Sequence, residues 1–419
     1  MIKKISLIVF LCIFVSCSFI FFSLLYSSAY VAENEEDEIE EVNIEDSIEF
    51  AFSSEPHDTI NFNIFEDIAR AKDLLENESC GFQVVKSKVV VQGKKAKKAK
   101  KTSKTKTGKK AGKTKTIVKN ELGEFDILLA VEHVKDREIK VVRVHPKFGA
   151  KSNGFVVEPG RSNGVNTKFT ITNPEHHIVL ALKRPVRYGT TFKEVVYTPY
   201  SEGLDIPEVR KAGLDYLKNI LDTAKSDLSA KRVRPLSGDR FIDDDVSLTL
   251  AIIEHIDPLK FRSDKYTTEK LINETLVIMG TNKQNAYRYS TSKAGARGLF
   301  QFIPDTYKRI EQLYPHAGLK KDFIQGMDDH ENAAKASFLL FDSDMRSLNN
   351  GKKEKLMNSP QALGRFLASA YNCGAGRTRS AMNRYGDNWH SGVPAETQTY
   401  LKKYDAVWEW LNRHQLAMQ

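Results

Sequence analysis

The chain has 419 residues, 41% of them hydrophobic and 28% charged, with a net charge of +9. That is enough chain for two or three domains with real cores, and the composition fits a globular protein with low-complexity additions. The positive charge does not mark a nucleic-acid-binding domain: residues 94–115 hold 12 lysines and no acid, so the rest, at +9 less those 12, carries −3.

The chain opens with Met1-Ile-Lys-Lys4 and a nearly charge-free apolar run from Ile5 to Tyr26. Residues 1–32 read equally as a cleaved signal peptide, with Ser27-Ser28-Ala29 as small residues for cleavage, and as an uncleaved membrane anchor. In both cases the two lysines before the run keep the N-terminus inside and the body is exported. The expected location is the cell envelope, periplasmic or on the outer face of the cytoplasmic membrane. Cys12 and Cys17 fall in this run, which leaves Cys80 and Cys373. An exported protein permits a disulfide between them, but the sequence does not decide it.

Residues 33–59 begin with an acidic segment, ten acids and no base over 33–49, too polar to bury a core. Residues 60–93 carry a short amphipathic pattern through Ile64, Phe65, Ile68 and Leu75, then an apolar strand-like piece over Phe82–Val91. Residues 94–116 read as a self-repelling Lys-rich linker. Its alternative reading is a polycation for an anionic wall polymer or lipid.

Residues 117–204 read as a small β-rich domain. Short runs rich in Val, Ile and Phe cover Phe125–His133, Glu138–His145, Phe155–Glu158, Lys168–Thr172, Ile178–Leu182 and Glu194–Tyr197. Ser152-Asn-Gly154 and Ser162-Asn-Gly164 are turn signals between them. His176 and His177 are adjacent, so on a strand they face opposite ways, which argues against a metal pair. No metal or cofactor is expected.

At Asp205 the period becomes helical, giving a connecting helix in 205–238 with Pro207 in its first turn. Residues 239–419 then read as an all-α domain, with helices over Val246–Ile256, Thr267–Met279, Asp305–Tyr314, Asn332–Leu348, Gln361–Tyr371 and Glu396–Leu411. The fold class is α+β.

The chemistry falls in this last region. Ser292-Lys-Ala-Gly-Ala-Arg-Gly-Leu-Phe-Gln301 places two glycines beside an apolar anchor and an amide that can be aimed into a cleft; the glycines give a ligand room. Upstream, Glu254 sits near the end of an apolar helix stopped by Pro258. The helix dipole and apolar neighbours both disfavour its ionised form, as a general acid requires. Downstream, Tyr371 and Asn372 lie at a helix end closed by Gly374, and Glu396-Thr-Gln-Thr-Tyr400 opens the last helix. Taken singly, each of these also reads as ordinary capping or a buried tyrosine.

Together, Ser292-x-x-Gly-Ala-x-Gly-Leu-x-Gln301 with Pro304 and Thr306, Ala370-Tyr-Asn-x-Gly374 and Glu396-Thr-x-x-Tyr400 resemble, in order, the lytic transglycosylase family, whose SLT-like catalytic domain is similar to goose-type lysozyme. The resemblance covers about residues 246–411. It implies non-hydrolytic cleavage of the MurNAc–GlcNAc β-1,4 bond of peptidoglycan with a 1,6-anhydro product, in bacterial cell-wall remodelling. It implies Glu254 as acid and then base, with Ser292, Gln301, Tyr371, Asn372 and Tyr400 orienting it or binding sugar. The expected partners are glycan strands and, through the N-terminal segment if uncleaved, the membrane; nucleic acid is not among them. The sequence departs from the family where His255 replaces the usual Ser, and where Gly295 lies 41 residues past Glu254 with a helix inserted between. Counted from the start of its helix, the family's glutamate falls nearer Ile256 or Asp257. Asp257 and Glu274, on the inserted helix, are therefore alternative acids. A hydrolytic muramidase on the same fold and a non-catalytic peptidoglycan-binding envelope protein are the competing readings.

Overall fold

A computed structural model describes residues 63–92, 114–152, 154–235 and 244–417. The N-terminal apolar run, the acidic segment and most of the Lys-rich tract lie outside these residues. Among the described residues no helix is long and apolar enough to cross a membrane.

Helix α1 (Ile64–Glu76) starts where the Asn63 side chain accepts the Phe65 N–H. Its buried stripe of Ile64, Ile68, Ala71 and Leu75 has helical spacing and faces the main sheet. Its C-terminal end is held by Lys183, whose buried ammonium donates to the carbonyls of Leu75 and Glu76, each at 2.9 Å. Strands β1 (Val84–Gln92) and β2 (Thr114–Leu122) pair antiparallel along their whole length. Strand β2 thus begins inside the stretch read as a linker, and residues 93–113 join two paired strands. β2 escaped the sequence reading because its start lies in the lysine tract.

Strands β3 (Ile127–His133), β4 (Ile139–Val144), β5 (Ala150–Ser152), β6 (Phe155–Pro159), β7 (Phe169–Asn173), β8 (His177–Tyr188) and β9 (Thr191–Tyr197) follow. One antiparallel sheet runs β4-β3-β8-β9 and a second runs β5-β6-β7. β3 is buried at six successive positions, Ile127 to Glu132, so both of its faces are covered. Between β6 and β7 the Ser162-Asn-Gly164 signal opens a single 3₁₀ turn, Gly164–Asn166. Thr167 fixes it, accepting from the Asn163 N–H at 2.9 Å and donating to the Gly164 carbonyl at 2.8 Å. His176 stands at φ 60° just before β8, so the regular alternation does not reach it.

Helix α2 (Pro207–Ala230) leads to α3 (Asp244–Ile253), α4 (Pro258–Phe261) and α5 (Thr268–Asn282). α5 is the inserted helix, and it crosses α2 backbone to backbone. A Cβ on Gly213 would lie 2.0 Å from the Leu276 carbonyl oxygen, and one on Gly280 would lie 2.3 Å from that of Val209. The remaining helices are α6 (Pro304–Leu313), α7 (Phe323–Asp328), α8 (His330–Arg346), α9 (Asn350–Met357), α10 (Pro360–Cys373), α11 (Ala375–Tyr385) and α12 (Ala395–Ala417). α7, α9 and α11 were not expected. α7 and α9 are short, and α11 begins immediately after Gly374, whose φ of 92° breaks α10. The described residues form one compact unit with a continuous apolar core from α1 to α12. Cys80 and Cys373 are both free, with Cys80 buried against the Lys183 carbonyl.

Candidate active site

Helix α3 is buried on all sides; Val246 to Ile253 are buried without a break, Ser247 and Thr249 included. It ends at Ile253, three residues earlier than expected. Glu254 follows in a turn, its N–H still bonded to the Leu250 carbonyl at 3.1 Å. The chain then turns so that the Asp257 side chain caps α4, accepting the Leu259 N–H at 2.7 Å. This sends Glu254 into a cleft of about 370 Å³. The same cleft is lined by Ser292 and Gln301, by Tyr287 and Tyr289, and by Asn163 and Asn166 from the β-rich region.

The chemical state of Glu254 is set by its surroundings. Burial pushes its carboxyl up to about 7, against two smaller opposing effects, the hydrogen bond from Tyr400 and the charge of Lys403. The Tyr400 hydroxyl donates to Glu254 Oε1 at 2.5 Å. Burial, then the Glu254 charge, push this phenol well above its ordinary range, so it stays protonated and stays a donor. Lys403, one turn along α12, donates to the carbonyls of Ile253 at 2.8 Å and Ile256 at 3.0 Å. It therefore occupies the C-terminal end of α3. The helix dipole does not raise the Glu254 pKa as the sequence suggests: a cation sits on the negative helix end and its charge lowers that pKa, so burial alone raises it.

His255, the next residue after Glu254, points to the motif at 292–301. Burial pulls its imidazole down to about 3, so it is neutral. Its Nε2–H donates to the Leu299 carbonyl at 2.7 Å, and its ring stacks on Tyr287 with centroids 3.4 Å apart. This bond ties Glu254's neighbour to the glycine motif across the inserted helix. The motif is held through its other carbonyls as well. Tyr371 donates to the Phe300 carbonyl, and the Gln301 side chain donates to that of Gly298 at 2.8 Å. Gln301 itself adopts φ 47°, a left-handed turn. Arg297 is fixed by Asp328, 2.9 Å from Nη2. Asp328 also accepts from Tyr188 of β8 at 2.7 Å.

The expected residues thus separate by position. Glu254, Asp257, Ser292 and Gln301 line one cleft. Tyr371, Asn372 and Tyr400 stand behind it: Tyr371 on the motif, Asn372 accepting from Thr397 at 2.7 Å, and Tyr400 on Glu254. Ser292 also shapes its own loop, accepting the Ala296 N–H at 3.0 Å. Glu274 does not line this cleft; it lines an adjoining cavity of about 400 Å³, where it is paired with Lys260 at 2.8 Å. Gly298 does not make room for a ligand as expected; a Cβ there would meet the Met327 carbonyl oxygen at 2.5 Å. Sequence reasoning missed Lys403, Asn163 and Asn166. In the sequence the Asn163 signal reads as a turn only, and nothing there pairs Lys403 with α3.

Residues 284–390 match the family model described as Transglycosylase SLT domain. No curated protein matches the chain. The helical C-terminal region therefore carries an SLT domain of the lytic transglycosylase type, whose family acts on peptidoglycan. A β-rich region precedes that domain in a mixed α+β fold.

Proposed function

We propose that the protein is a lytic transglycosylase that cleaves the MurNAc–GlcNAc β-1,4 bond of bacterial peptidoglycan and leaves a 1,6-anhydromuramic end. One observation carries this reading: Glu254 is a carboxyl held near pH 7 in the cleft that also presents Ser292 and Gln301. Protonated Glu254 gives its proton to the bridging glycosidic oxygen as the C1–O bond breaks. The carboxylate so formed takes the proton of the substrate's C6 hydroxyl while O6 bonds to C1. Proton and electron pair balance without water or a cofactor. Tyr400 keeps one oxygen of Glu254 fixed through both steps. In keeping with the apolar run at the N-terminus, we place this activity in cell-wall remodelling at the envelope.

A hydrolytic muramidase is the second reading, because Asp257 lines the same cleft and hydrolysis ordinarily uses two carboxylates. Against it, Asp257 caps α4 with one oxygen, and its other oxygen lies 3.6 Å from Arg161. The test is to incubate the full chain with purified sacculi and analyse the products by mass spectrometry. Anhydro-muropeptides, absent with Glu254→Gln, are expected. Reducing-end products would select the muramidase. Binding without turnover would leave a peptidoglycan-binding protein.

A further inference from the structure

The cleft around Glu254 is the middle of three adjoining cavities. On one side lies a cavity of about 400 Å³ that shares Asn163, Asn166 and Tyr287 with it. On the other lies one of about 480 Å³ that shares Gly164, Val165 and Tyr289. Glu254 lines only the middle one. The turn at 163–166 is common to the set, and it belongs to the β-rich region. Across from it run residues 254–258 and 287–301.

From this we infer that the β-rich region supplies one wall of a groove that receives a glycan strand on both sides of Glu254, so that the enzyme cuts within strands rather than at their ends. The inference rests on the function proposed above and extends it. The wall is built rather than incidental. Thr167 locks the turn from inside and Val165 is buried beneath it. Asn166 donates to Ser290 at 3.4 Å, where the two walls meet. Asn166 lines both the middle cavity and the 400 Å³ one beside it. The exposed Asn163 amide lines the same two cavities and can exchange hydrogen bonds with the N-acetyl group that every sugar of this polymer carries. A strand end needs space on one side of the acid, whereas three adjoining compartments with the acid at the centre suit a strand that continues past it.

The full chain should be given intact sacculi and sampled early in the digestion. Released glycans are then stripped of peptide and separated by length. The expected products are strands of many disaccharides that shorten with time and carry anhydro ends. Single disaccharide units with anhydro ends from the first sample would overturn the groove while leaving the chemistry intact; products without anhydro ends would overturn the chemistry itself. For the wall, Asn163→Ala/Asn166→Ala should lower kcat/KM on sacculi by about tenfold, the worth of one hydrogen bond, carried in KM rather than kcat. An unchanged KM in a variant with a wild-type unfolding midpoint would remove the β-rich region from the site. If that variant does not fold, the strand lengths from the wild type decide.

Discussion

The segment that matches the SLT family and the segments on either side of it contribute different things to the cleft. Residues 284–390 supply the wall: Ser292, Gln301 and a glycine motif tied down through three successive carbonyls. The proposed acid, the phenol that holds it and the lysine that caps the preceding helix are Glu254, Tyr400 and Lys403, all outside the match. The facing turn at Asn163–Asn166 is also outside it. On the function proposed here, the cleft keeps a recognisable wall while the groups that set its proton chemistry come from flanking segments joined to it only in three dimensions. His255 is one such joint. Its bond to the Leu299 carbonyl bridges the inserted helix, which would otherwise separate acid from wall.

Substitutions on the two sides should therefore fail in different ways. The largest effect is expected at Glu254. Glu254→Gln should lower anhydro-product release by about 10²–10⁴-fold, the usual worth of a general acid. The same change should stabilise the fold at higher pH. A glutamate near 4.3 when unfolded and near 7 when folded holds its proton better in the native state. Its presence is harmless at low pH, costs stability as pH rises between those values, and costs a constant amount above them. Calorimetry should find the variant melting above the wild type at about pH 8, with the gap closing below about pH 4.

Next is Gly298→Ala within the matched segment. Its φ of 75° and the close Met327 carbonyl predict a loss of about 3 kcal/mol in denaturant unfolding, with the pH profile of the remaining activity unmoved. Lys403→Met should do both kinds of damage. Two buried carbonyls lose their cation, for about 2 kcal/mol of stability. Loss of a nearby positive charge also raises the Glu254 pKa and moves the basic limb of activity to higher pH. The smallest effect is expected for Tyr400→Phe. It removes one hydrogen bond that lowers the Glu254 pKa, so the basic limb moves up and the rate falls about tenfold. If Gly298→Ala moved the limb and Tyr400→Phe did not, the division between wall and flanks would be wrong.

Much of the fold was legible because periodicity survives in it. The stripes of α1 and α2, the turn signals around β6 and the glycine break after α10 all appear in the sequence. Glu254, Ser292 and Gln301 were legible as cleft residues because each sits at a punctuated helix or loop end. What was not legible depends on contacts distant in sequence. Lys403 looks like any lysine on an amphipathic helix until α12 lies against the end of α3. Asn163 looks like a turn residue until the turn faces Glu254. β2 is masked by the composition of the tract it grows from, and only its pairing with β1 reveals it.

The central claim is that Glu254 works as a buried acid near neutral pH, and the pH dependence of kcat/KM for anhydro-product release tests it most directly. Activity should fall as pH rises, with a midpoint near 7 in the wild type and a higher midpoint in Tyr400→Phe. A midpoint at an ordinary glutamate value of about 4.3, or a profile that runs flat through neutrality in both, would contradict it.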